Sequence, residues 1–122
     1  MRRVLVVDDS TMIHAMYKHI LGQRPDCELV FARHGKEALE LIEQKGEPSL
    51  VFLDINMPIM SGLECLDHLR ARGTVPRVPV VLVSTEGAQD DVDRGLSGGA
   101  VEYLRKPFKP EELTAVLTRR LL

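Results

Sequence analysis

Five times along the chain a short apolar run rich in β-branched residues gives way to a stretch of helical periodicity, and this alternation leaves few architectures open. The runs fall at residues 4–7, 28–31, 50–53, 80–83 and 101–104. The first, third and fourth are continuously apolar, the pattern of strands covered on both faces of a parallel sheet. The second and fifth carry Glu28 and Glu102, which places them nearer the sheet edges. Alternating strands and helices with short connections predict an α/β fold, a doubly wound parallel sheet of (βα)₅ type with two helices on one face and three on the other. The 122 residues make one domain over 1–122, large enough for a core without disulfide or metal staples.

The helices are readable from their stripes and ends. Ser10 caps a helix whose apolar positions are Met12, Ile13, Met16, Tyr17, Ile20 and Leu21, with Gly22 and Pro25 closing it. A second helix carries Ala38, Leu39 and Ile42; a third opens near Ser61 and Gly62 and buries Leu63, Leu66 and Leu69. The last starts after Pro110, with Glu111 and Glu112 at its positive end and Arg119 and Arg120 at its negative end. The fourth segment, residues 88–96, holds three aspartates and Gly95, so it is expected to be the least stable helix.

Composition removes several classes of function. Sixteen Lys and Arg against eighteen Asp and Glu give a net charge of −2, which argues against nucleic acid as a direct partner. No apolar run reaches the roughly eighteen residues of a membrane span, and the start of the chain lacks a signal-peptide core. Cys27 and Cys65 stand alone, as reduced thiols of a cytoplasmic protein. The four histidines, His14, His19, His34 and His68, share no ligand spacing and read as ordinary surface or half-buried residues. The doublets Arg2-Arg3 and Arg119-Arg120 read as solvated faces.

Chemistry concentrates where the strands end. The first strand runs into Asp8-Asp9, the third into Asp54, the fourth into Ser84-Thr85 and the fifth into Lys106. A parallel sheet brings these positions to one edge, where doubly wound folds bind ligands. Any of them alone would pass for a cap or turn residue. Together, three carboxylates in one cleft repel by roughly 3 kcal/mol per pair at about 5 Å. A hard divalent cation relieves that repulsion, and Mg²⁺ favours one or two carboxylates together with water and a phosphoryl oxygen.

The motifs Asp8-Asp9, Asp54-x-Asn56-Met57-Pro58-x-Met60-x-Gly62, Ser84 and Lys106-Pro107-Phe108, in this order, resemble those of bacterial two-component response-regulator receiver domains, most closely the single-domain chemotaxis type. The resemblance spans essentially the whole chain. It implies a flavodoxin-like sheet of order 2-1-3-4-5 and a signalling module that is not an enzyme acting on an external substrate. It makes Asp54 the phosphoacceptor for a sensor histidine kinase or phosphotransfer protein. Asp9 and Asp54 would ligate Mg²⁺ by side chain, Asn56 by its carbonyl and Asp8 through water. Lys106 would pair with Asp54 at rest and with a phosphoryl oxygen afterwards, Ser84 would donate its hydroxyl to the phosphoryl group, and Tyr103 would change rotamer with it. The Lys106–Pro107 bond would be cis. Asn56, Thr85 and Glu86 would modulate access and phosphate lifetime, Thr85 departing from the smaller residues common there. A downstream protein would dock on the fourth helix, fifth strand and last helix. Monomer and homodimer both fit.

Other readings fit less well. A phosphatase of haloacid-dehalogenase type would have an acid two positions after its nucleophile, whereas Asn56 follows Asp54 at that place and Ser10-Thr11 follow Asp8-Asp9. A flavin-binding protein would need a Ser/Thr-rich phosphate loop where the two aspartates stand. A receiver cut from a longer transcriptional regulator would carry the same residues.

Overall fold

The computed structural model describes residues 2–22, 24–57, 59–85 and 89–121. The strands are β1 (Arg2–Val7), β2 (Cys27–Ala32), β3 (Leu50–Asp54), β4 (Val80–Ser84) and β5 (Glu102–Arg105). Between and after them lie α1 (Thr11–Leu21), α2 (Gly35–Lys45), α3 (Gly62–Ala71), α4 (Gln89–Ser97) and α5 (Pro110–Leu121). All pairings are parallel, in the order β2-β1-β3-β4-β5. The strands bearing Glu28 and Glu102 are the two edges, as their polarity suggests. Residue 88, expected to open the fourth helix, lies outside the described residues.

Side chains alternate across the sheet with the period of the pleat. Val4, Val6, Phe52, Val81 and Val83 face α1 and α5 and pack on Tyr17, Leu21, Leu113 and Leu117. Leu5, Val7, Val51, Leu53 and Leu82 face the other way, onto Ala38, Leu39, Leu63 and Leu66 of α2 and α3. Gly95 brings α4 down on this second face, where an added Cβ would lie 2.1 Å from the Leu82 side chain. Of α4, only Val92 and Gly95 are buried, in keeping with its poor stripe. No described helix is long and apolar enough to cross a membrane.

The caps explain where helices start. Ser10 Oγ accepts the Ile13 amide, and Ser61 and Glu64 form a reciprocal capping box at α3. His34 caps α2 through Nδ1, which accepts the Glu37 amide at 3.2 Å, a role that spacing rules for metal ligands do not reveal. The Arg119-Arg120 doublet is solvated as its charge suggests, Arg119 exposed and Arg120 half-buried, but both arginines also reach Glu102, each at 2.6 Å, and tie α5 to the edge strand. Arg3 likewise donates to the Lys45 carbonyl at 2.6 Å and pairs with Glu28. The Lys106–Pro107 bond is cis as expected, and Val75–Pro76 is cis as well. Both cysteines are free thiols, with burial pushing Cys65 up to about 12.

Candidate functional site

The site forms because four strands stop at one level. Asp8 follows β1, Asp54 closes β3, Ser84 closes β4, and Lys106 follows β5. Register places Asp54 beside Val83 and Ser84 beside Arg105. Gly62 lets α3 begin directly against this edge, since a Cβ there would meet the Asp54 carbonyl oxygen at 2.1 Å.

Asp8, Asp9 and Asp54 each turn a carboxylate oxygen to a common point, all within 4.8 Å of one another. Asp8 and Asp54 are buried and Asp9 is exposed. Lys106 is buried among them, 2.5 Å from Asp8 Oδ2 and 3.5 Å from Asp54 Oδ2. The resting partner expected for Lys106 was Asp54; the ammonium holds both acids and sits nearer Asp8. Burial pushes the Asp54 carboxyl up to about 6, against the pull of Lys106 and with the help of the Asp8 charge. Beneath the site, burial raises the Tyr17 phenol too, and the Asp8 and Asp54 charges add to that. Three clustered oxygen donors, one of them exposed, fit a hard divalent cation.

Asn56 donates its amide to Asp54 Oδ1 and its side-chain Nδ2 to Ser84 Oγ, both at 3.3 Å. The Ser84 carbonyl accepts both the Lys106 amide at 2.8 Å and the Tyr103 hydroxyl at 3.3 Å. Tyr103 is half-buried, so it both packs and bonds. Thr85 is exposed and lines a cleft of about 580 Å³ with Arg105, Lys106, Pro107 and Glu112. Glu86 lies outside the described residues. One contact was not foreseen: His14 Nε2 lies 2.7 Å from the Asp8 carbonyl oxygen. The available signal was its place one turn into the helix that follows Asp8-Asp9.

The response regulator receiver domain matches residues 4–118 of the chain. The chain belongs to that family. It is 32% identical to the chemotaxis protein CheY1 of Helicobacter pylori, over 91% of this chain and 90% of that one. The structure of chemotaxis protein CheY4 of Vibrio cholerae superposes with a TM-score of 0.88 at 36% identity, covering 99% of both chains. The nitrate/nitrite response regulator NarL of Escherichia coli is 38% identical, but the match covers only 52% of it. This receiver is therefore a phospho-accepting signalling domain of the kind found both in chemotaxis proteins and within longer regulators. Neither the haloacid-dehalogenase nor the flavin reading is favoured.

Proposed function

We propose that this receiver takes a phosphoryl group on Asp54 from the phosphohistidine of a sensor kinase or phosphotransfer protein, and signals by rearranging the face made by α4, β5 and α5. The observation that carries the reading is the Asp54 carboxylate itself, buried at the end of a central strand yet grouped with Asp8, Asp9 and Lys106. A carboxylate oxygen of Asp54 bonds to phosphorus while the P–N bond breaks and the imidazole nitrogen keeps the electron pair. Phosphoryl transfer needs alignment and charge neutralisation more than covalent help. Asp9 and Asp54 by side chain, Asn56 by its carbonyl and Asp8 through water would hold Mg²⁺, which would supply positive charge to the phosphoryl oxygens. Lys106 supplies a second positive charge, and the Ser84 hydroxyl donates a hydrogen bond. Phosphorylation replaces one negative charge by about −1.5 to −2, drawing Ser84 and Lys106 toward residue 54. The shared Ser84 carbonyl transmits that shift to Tyr103, a bias between two arrangements of the output face. Thr85 and Glu86 tune access and lifetime, and the module works in the cytoplasm.

The test is phosphorylation with acetyl phosphate and Mg²⁺, read by mass spectrometry. Wild type takes up one acid-labile phosphoryl group per chain and Asp54→Asn takes up none, with unchanged circular dichroism. Uptake by Asp54→Asn at the wild-type rate and stoichiometry overturns the assignment.

A further inference from the structure

His14 is half-buried, its ring 4.8 Å from that of Phe31 between centroids. A carbonyl oxygen only accepts, so the 2.7 Å contact between His14 Nε2 and the Asp8 carbonyl is an N–H···O bond donated by the ring. Its cause is topological. The Asp8 amide donates to the Ala32 carbonyl at 3.0 Å, and β2 ends at Ala32. The ladder thus has no further β2 amide to offer the Asp8 carbonyl, and the imidazole takes that place.

The held carbonyl belongs to the peptide group that carries the Asp9 nitrogen. The Asp8 side chain is fixed on its own account, Oδ1 by the Ser10 amide at 2.9 Å and Oδ2 by Lys106. Asp9 is exposed, and none of its hydrogen bonds or ion pairs is found among the described residues. The direction of its carboxylate therefore depends on the backbone, and whatever holds the peptide between residues 8 and 9 also aims Asp9. Partners behind a metal ligand commonly change metal affinity by about 10–100-fold when removed.

We propose that His14 is a positioning residue for the cation site: its Nε2–H bond fixes the Asp8–Asp9 peptide so that Asp9 faces Asp54. This rests on the reading of Asp8, Asp9 and Asp54 as the Mg²⁺ site. The test is an NMR titration of the full chain with MgCl₂ alone, comparing wild type, His14→Phe, His14→Gln and Asp9→Ala. His14→Phe keeps a ring against Phe31 and removes the donor, so Mg²⁺ affinity falls about tenfold. His14→Gln presents an N–H at similar reach and returns affinity to within about threefold of wild type. A merely structural role would lower melting temperature without separating the two affinities. Wild-type affinity in His14→Phe, or equal weakness in His14→Gln, overturns the proposal. Should His14→Phe not fold, His14→Leu is read in the same way. Asp9→Ala separates the two levels: if it too binds like wild type, the cation site itself is misread, whereas if it alone loses Mg²⁺, only the role of His14 fails.

Discussion

Lys106 brings its ammonium to 2.5 Å from Asp8 Oδ2, a shorter contact than the 3.5 Å it makes with Asp54. With Oδ1 occupied by the Ser10 amide, Asp8 is engaged at both oxygens by the protein itself. The three acids therefore divide their work. Asp8 anchors the lysine, exposed Asp9 is the oxygen donor most open to a cation, and Asp54 is left with the weaker hold on Lys106, in keeping with its proposed role as nucleophile.

That division predicts opposite costs for two adjacent substitutions. Asp8→Ala leaves a buried ammonium with one distant partner and should cost about 3 kcal/mol in urea unfolding without metal. Asp9→Ala removes an exposed like charge and should be neutral or slightly stabilising under the same conditions. The metal reverses the contrast in Asp9: at a concentration ten times its dissociation constant, Mg²⁺ should stabilise wild type by about 1.4 kcal/mol, and Asp9→Ala should lose that gain. Equal apo-state costs for the two variants would contradict the assignment.

The raised carboxyl of Asp54 sets a pH dependence. Its ordinary value of 3.8 rises to about 6 on folding, so between those limits the folded protein keeps a proton that the unfolded chain has lost. Stability without metal therefore falls as pH rises through this window, and the full cost of the buried charge is present above it. At about pH 7.5, Asp54→Asn should be more stable than wild type by about 1–2 kcal/mol, the gap closing near pH 4. A gap that stays constant with pH would show that Asp54 titrates normally.

Ile59 offers a prediction of different origin. It has φ of 71°, in the left-handed region, and its side chain is 76% exposed, so little packing offsets the strain. A left-handed conformation costs an ordinary residue roughly 1–2 kcal/mol, less for asparagine. Ile59→Asn should therefore stabilise the protein by about 1 kcal/mol in thermal or urea unfolding. A loss of stability would mean that the exposed isoleucine contributes packing its exposure conceals.

Much of this was legible in the residues. The unbroken burial of β3 and β4 and the stripe of α1 follow from apolar runs, because covering both faces of a sheet demands them. Asp8, Asp54, Ser84 and Lys106 could be placed together because a parallel sheet aligns strand ends. Partner choice was less visible. Lys106 could reach either acid, and only the turn that gives Ser10 to Asp8 Oδ1 leaves Oδ2 facing the lysine. The bonds from Arg119 and Arg120 to Glu102 depend on how α5 lies across β5, and that of His14 on where β2 ends; the place of His14 one turn into α1 puts it near the site without naming its partner.

The last prediction concerns how the signal leaves the site. The Ser84 carbonyl binds both the Tyr103 hydroxyl and the Lys106 amide, so a shift of that peptide is felt at β5. Glu102 bears on how far it spreads. Burial would raise its carboxyl, but the bonds from Arg119 and Arg120 outweigh that and hold it low, so α5 stays fastened to the strand at neutral pH and loosens as acid neutralises Glu102. By contrast α4 buries only Val92 and Gly95 and adds an exposed ion pair from Arg94 to Asp67 at 3.5 Å, which places it at the low-stability end of the molecule. Hydrogen exchange with and without a beryllofluoride phosphoryl mimic should therefore change most in residues 89–97 and 102–105, by about tenfold, equivalent to 1.4 kcal/mol. Residues 110–121 should change little. Equal changes in α1 and α4, or a change confined to α5, would break the proposed route through Ser84 and Tyr103.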